Sequence, residues 1–177
     1  MALYKATGIV LGSHPFEESG KLVTIFTRDL GKISVIAKGS KRPTSRFGGR
    51  LETFSLVEVL AAEGRNLDIL SQVEVINSFQ PLRENSLFLN LGFYFVRIIG
   101  FSVLRGQKNR RLFNLLFSSF SKLADGIDPN YVVKFFEINY LKVEGLYRSD
   151  RFPEDLIAEH LDKDIRWWKQ QAMVPGL

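Results

Sequence analysis

The sequence predicts an α+β chain in which a small β-barrel is followed by a helical bundle. In the first eighty residues, short runs rich in β-branched and aromatic side chains alternate apolar with polar positions, as half-buried strands do. Beyond Pro81 the apolar residues recur at intervals of three and four, the period of a helix face. Ten of the fifteen Phe lie past residue 80, so that half is expected to pack around an aromatic core.

The strands follow in order. ATGIVLGS supplies the first, and KLVTIFT and KISVIA flank Asp29-Leu30-Gly31 as a hairpin. LETFSLVEVLAA and NLDILSQVEVI flank Glu63-Gly64-Arg65 as a second hairpin, in which Leu67, Ile69 and Val73 share a parity and are expected on one face. Five short, mostly antiparallel strands suit a closed barrel, because closure removes edges that would otherwise pair with other chains. The oligonucleotide-binding (OB) fold is one such barrel. Gly39, Pro43, Gly48 and Gly49 mark the connection between the third and fourth strands as a loop.

The helices begin with Leu87, Leu91, Tyr94 and Ile98 on one face, and Phe113, Leu116, Phe117 and Phe120 repeat the pattern. SLFLNLGFYFVRIIGFSVL is apolar enough to suggest a membrane span. It contains Asn90 and Arg97, however, and an arginine at a span's centre costs about 2.5–3.5 kcal/mol to insert, so a buried helix is expected. A third helix starts at Asp128-Pro129 and stops at Gly145, a C-cap. The last runs from about Pro153 with Ile157, Leu161, Ile165 and Trp168 on one stripe, which puts Trp168 inside and Trp167 farther out. Residues 1–80 are therefore read as a nucleic-acid-binding barrel domain and residues 81–177 as a helical domain.

A chain of 177 residues with a net charge of +5 and a pI near 9.5 has a core of ordinary size and a mild preference for polyanionic partners. It has no cysteine, which excludes disulfides and thiolate metal sites. MALYKATGIVLGSH lacks the long apolar run of a signal peptide, so a cytoplasmic protein is expected.

The charge is concentrated. VIAKGSKRPTSRFGGRL carries Lys38, Lys41, Arg42, Arg46 and Arg50 with no acid among them. Solvated surface charge is the plain explanation. The density of cations on a glycine-containing loop favours phosphate binding, since Lys and Arg release condensed counterions on meeting a nucleic-acid backbone. Phe47 either stacks on an unpaired base or anchors the loop in the core. RGQKNRR adds a secondary basic patch of Arg105, Lys108, Arg110 and Arg111, which would extend a nucleic-acid track, dock an acidic protein tail or simply meet a helix dipole.

Signals for catalysis are poor. Glu17 and Glu18 are adjacent on a turn and point apart, while His14 and His160 lie in different halves without metal-ligand spacing. Glu154 and Asp155 suit the first turn of a helix, where negative charge meets the dipole. Phosphate-loop and dinucleotide fingerprints are absent. No catalytic residue, metal or cofactor is assigned.

GIVLGSHPFEESGKLVTIFTRDLGKISVIAKGSKRPTSRFGG, followed by LETFSLVEV and LSQVEVINSFQPLREN, resembles the N-terminal half of the RecO family of bacterial recombination mediators. The likeness covers residues 1 to 85 and resumes in FEINYLKVEGLY, similar to the end of the family's central helical bundle. It implies an OB barrel, DNA repair and recombination, and a protein without turnover that binds single- and double-stranded DNA and anneals complementary strands. It also implies RecR as a partner in loading RecA onto DNA coated by single-strand-binding protein, contact with that protein's C-terminal tail, and nucleoid association during repair. The family's basic motif falls here on Lys38, Lys41, Arg42 and Arg46. Many relatives carry a four-cysteine zinc module after the segment matching FEINYLKVEGLY; this chain lacks the cysteines, so zinc is not expected. A competing reading is an interaction scaffold whose basic loop docks an acidic partner while the complex makes the DNA contacts.

Overall fold

A computed structural model describes residues 2–41 and 45–174, which fall into two compact units. The first comprises residues 1–78 with 103–110, and the second residues 79–102 with 111–177.

The described part of the first unit contains β1 (Leu3–Phe16), β2 (Gly20–Thr27), β3 (Gly31–Ala37), β4 (Leu56–Ala62) and β5 (Asp68–Asn77). They close in the order β1-β2-β3-β5-β4, with β4 pairing back onto β1. All pairs are antiparallel except β3 with β5, which meet through Val35 opposite Asp68 and Ile36 opposite Ile69. This is the strand order of an OB barrel, as the sequence led us to expect. Alternation aims Val10, Val23, Ile25, Val35, Val57 and Val59 into the interior, and all six are fully buried. Each such burial contributes about 1.5–3 kcal/mol.

The expected parity of β5 does not hold. Its register with β4 shifts between Leu60 and Ala61, so Ala61 faces Leu70 whereas Leu60 faces Gln72. That β-bulge inserts Ser71 and switches the inward set from even to odd positions along β5. Leu70 is therefore inside with Val73 and Val75, while Ile69 belongs to the other parity.

Segment 103–110 packs on the barrel. The Gly106 N–H donates to the Lys32 carbonyl at 2.9 Å, and Arg105 forms an isolated parallel bridge with Lys32. Gly31 permits this approach: its φ is +74°, and a Cβ there would lie 2.3 Å from the Gln107 carbonyl oxygen.

The second unit holds α1 (Gln80–Glu84), α2 (Ser86–Ser102), most of α3 (Arg110–Ala124), α4 (Pro129–Glu144), α5 (Pro153–Leu161) and α6 (Ile165–Met173). Helix α4 has the ends its sequence specifies. Asp128 accepts from the Tyr131 N–H at 3.0 Å, and Gly145, at φ 73°, donates to the carbonyls of Leu141 and Lys142. Leu91, Tyr94, Ile98, Leu116 and Phe120 are buried, and the Phe95 and Phe136 rings stack with centroids 4.3 Å apart. Phe117, placed on the same stripe by periodicity, stays 37% exposed.

The single last helix expected from the apolar stripe is two helices. Asp162 adopts φ 52° and ends α5, and the Asp164 carboxylate then caps α6 by accepting from the Trp167 N–H at 2.9 Å. The local chemistry of two aspartates outweighs an apolar period that runs through both segments. Trp167 is 52% exposed, but Trp168 is half-buried rather than buried, with one face on Phe101. Among the described residues no helix is long and apolar enough to cross a membrane.

Candidate nucleic-acid interface

The basic loop between β3 and β4 starts where β3 pairs with β2, Ala37 opposite Lys21. Lys38 is exposed and lines a hollow of about 320 Å³ with Phe16, Glu17, Ser19 and Gly39. Lys41 is held to the same β1–β2 turn. Its backbone N–H donates to the Ser19 carbonyl at 3.1 Å and its ammonium to the Glu17 carbonyl at 3.4 Å. Arg42 lies outside the described residues.

The far half of the loop is built differently. Ser45 Oγ accepts from the Phe47 N–H at 3.1 Å, and the Arg50 N–H returns to the Phe47 carbonyl at 3.0 Å, closing a tight turn. That turn drops Phe47, 2% exposed, and Leu51, 7% exposed, into the barrel core. Phe47 is thus the loop's anchor and offers no free face to a base. Arg46 and Arg50 are left at the surface by the same geometry. The Arg46 guanidinium sits 4.9 Å from the centre of the Phe47 ring, and Arg50 donates to the Arg46 carbonyl.

Arg46 and Arg50 line a groove of about 690 Å³ together with Lys5, Glu58, Gln72 and Glu74. Lys5 was not legible as a site residue because it stands alone in sequence. Its outward position on β1, paired with Leu60 of β4, brings it to the groove. Its ammonium is 3.6 Å from Glu58, so the groove carries both signs of charge. The four described cations of the loop do not form one cluster: Lys38 and Lys41 attend the β1–β2 turn, whereas Arg46 and Arg50 face the groove.

The secondary patch is also divided. Arg105 is exposed and donates to the Asn66 carbonyl at 3.3 Å, which ties it to the β4–β5 connection. Lys108 is exposed. Arg110 pairs with Asp29, which also receives Arg28 at 3.1 Å, and these hydrogen bonds hold the Asp29 carboxyl below its ordinary range. Arg111 opens the part of α3 that belongs to the helical unit and is exposed. Lys32 is half-buried, and desolvation lowers its ammonium pKa.

The β4–β5 connection is shaped by Asp68, which accepts from the Tyr4 hydroxyl at 2.6 Å and from the Gly64 N–H at 3.1 Å. Burial and the Asp68 charge push the Tyr4 phenol far above its usual range, so it remains a neutral donor. His14 is exposed and His160 lies 3.6 Å from Glu144. Among the described residues no three His, Cys, Asp or Glu side chains converge as a metal site. Exposed guanidinium and ammonium groups on a groove can neutralise phosphates without reading base edges.

Residues 1–79 match the family described as Recombination protein O N terminal. The chain is 41% identical over 126 residues to the DNA repair protein RecO of Rubrobacter xylanophilus, covering 71% of this chain and 50% of that protein. It is 33% identical over 150 residues to the DNA repair protein RecO of Symbiobacterium thermophilum, covering 84% and 59%. With the DNA repair protein RecO of Bacillus subtilis it shares 32% over 145 residues, covering 82% and 57%. The chain thus spans between half and three-fifths of the length of these relatives.

Proposed function

The chain belongs to the RecO family, and from that premise we propose that it is a DNA-binding recombination mediator in repair, holding single and double strands by their phosphates without turnover. The observation that carries this reading is the pair Arg46 and Arg50, kept at the surface of an OB barrel by the burial of the adjacent Phe47 and Leu51. Lys5 in the same groove, and Lys38 and Lys41 at the β1–β2 turn, add further phosphate contacts. On this reading the protein also anneals complementary strands, acts with RecR to load RecA, and meets the C-terminal tail of single-strand-binding protein. The test is binding of labelled single-stranded and duplex DNA across a salt series. Log affinity should fall linearly with log salt, and an affinity indifferent to salt would remove phosphate neutralisation as the mechanism.

A second reading is favoured by Glu58 and Glu74 in the groove, which oppose a continuous phosphate track. In it the barrel docks an acidic partner protein and the complex makes the DNA contacts. Substitution of Arg46 and Arg50 would then weaken partner binding and leave the affinity of the free protein for DNA unchanged.

A further inference from the structure

On the exposed side of α2, Phe93, Arg97 and Phe101 follow at intervals of four residues and form one stripe. Helix α6 lays Trp168 beside it. The Trp168 and Phe101 rings stack with centroids 5.6 Å apart and planes 30° from parallel. The Arg97 guanidinium lies 5.8 Å from the Trp168 ring centre, and the Lys163 ammonium 5.0 Å from that of Phe101. Each of two stacked rings therefore has its own cation. Beside the stack, a hollow of about 140 Å³ runs between Asn90, Phe93, Arg97, Trp168 and Gln171.

A stack that serves only to pack α6 on α2 has its rings covered and its cations neutralised. Neighbouring cations show that pattern: Arg166 makes a two-pronged pair with Asp155, and Lys169 meets Glu137 and Glu154. Arg97 and Lys163 differ. Both are exposed and, among the described residues, neither has a carboxylate partner. Phe101 remains 53% exposed and Phe93 40%. Unneutralised cations interleaved with accessible rings are what an unpaired nucleic-acid strand uses, since its bases stack and its phosphates pair. An acidic peptide would employ the cations and leave the ring faces without a planar partner.

We propose that Arg97, Phe101, Lys163 and Trp168 form a second binding site for single-stranded DNA, on the helical unit and distinct from the barrel groove. The site stands on its own residues and does not depend on the barrel reading. A base displaces a cation from the outer face of the Phe101–Trp168 pair and extends the stack there, and Arg97 and Lys163 meet the flanking phosphates.

The chain's two tryptophans both lie in α6, so indole emission reports this site alone. In a Trp167→Phe protein, Trp168 emission is followed as a dT oligonucleotide is added, while anisotropy of the labelled oligonucleotide reports total binding. The expected result is saturable quenching of Trp168 that survives Arg46→Ala with Arg50→Ala and is lost in Phe101→Ala, with affinity about fivefold weaker in the latter. Arg97→Gln and Lys163→Gln, both at exposed positions, should each lower the log-affinity against log-salt slope by roughly 0.7. Oligonucleotide binding with unchanged Trp168 emission and unchanged salt slopes overturns this proposal and leaves the barrel reading standing. Quenching by a blunt duplex as strong as by the single strand, or by an acidic peptide and not by DNA, overturns it as well. Absence of any DNA binding overturns both.

Discussion

Lys169 Nζ lies 3.0 Å from Glu137 Oε2, joining α6 to a carboxylate on α4 that is 1% exposed. The Tyr94 hydroxyl donates to the other Glu137 oxygen at 2.7 Å, and Glu154 stands 3.4 Å from the same ammonium. Helices α2, α4, α5 and α6 thus converge on one buried acid. Removing the ammonium leaves that acid uncompensated, which is more damaging than the pair is stabilising. Lys169→Met should cost about 3 kcal/mol in urea unfolding, whereas Lys163→Met, which removes a cation that has no carboxylate partner among the described residues, should stay within about 0.5 kcal/mol.

The same acid sets a pH dependence. Burial raises the Glu137 pKa, against the opposing pull of Lys169 and the Tyr94 hydrogen bond, while nearby Glu154 pushes it further up. A carboxyl whose folded pKa exceeds its unfolded value binds more protons when folded. Its contribution is fully present below the ordinary glutamate range and is lost as pH rises through the raised folded value. The difference in stability between wild type and Glu137→Gln should therefore shift in favour of the Gln protein over that rise. Parallel stability–pH curves for the two proteins would exclude this ionisation.

Arg46 and Arg50 are expected to act as phosphate contacts. Replacing either with Ala should reduce the magnitude of the salt slope for single strands by roughly 0.7, and both together by about 1.4, equally for all sequences. Thermal stability should change little because both side chains are exposed. An unchanged slope in a folded double variant would favour the partner-docking reading.

Phe47 distinguishes core anchoring from base stacking. Phe47→Ala should destabilise the barrel by about 3–5 kcal/mol through the cavity it leaves. At temperatures where the variant is folded, DNA affinity should fall only as far as Arg46 and Arg50 are displaced.

Gly31→Ala should detach segment 103–110. Its Cβ would clash with the Gln107 carbonyl, and its φ of +74° adds about 1–2 kcal/mol of backbone strain for any other residue. Hydrogen exchange at the Gly106 amide, whose partner is the Lys32 carbonyl, should accelerate in the variant and report the loss directly.

Much of the architecture was legible because it rests on local rules. The ends of α4 followed from Asp128, Pro129 and Gly145, and the β2–β3 turn from Asp29-Leu30-Gly31, since caps and tight turns are decided within a few residues. Misreadings arose where one residue changes phase. Ser71 reverses the face of β5, and Asp162 with Asp164 divides the last helix, while the apolar pattern on either side gives no warning.

The sequence by itself determined that a barrel precedes helices, that cations crowd one loop, and that Phe47 stands among them. Which way the loop's side chains face was decided by tertiary structure. The open interior of a five-stranded barrel takes up Phe47 and Leu51, because burying them removes apolar surface from water, and Arg46 and Arg50 are thereby left outside. Lys5 reaches the same groove only through strand pairing, and Arg97 meets Trp168 only because α6 folds back on α2. Such neighbours are far apart along the chain, and no local spacing encodes them; the closure of the barrel and the docking of the helices, both driven by burial, bring them together.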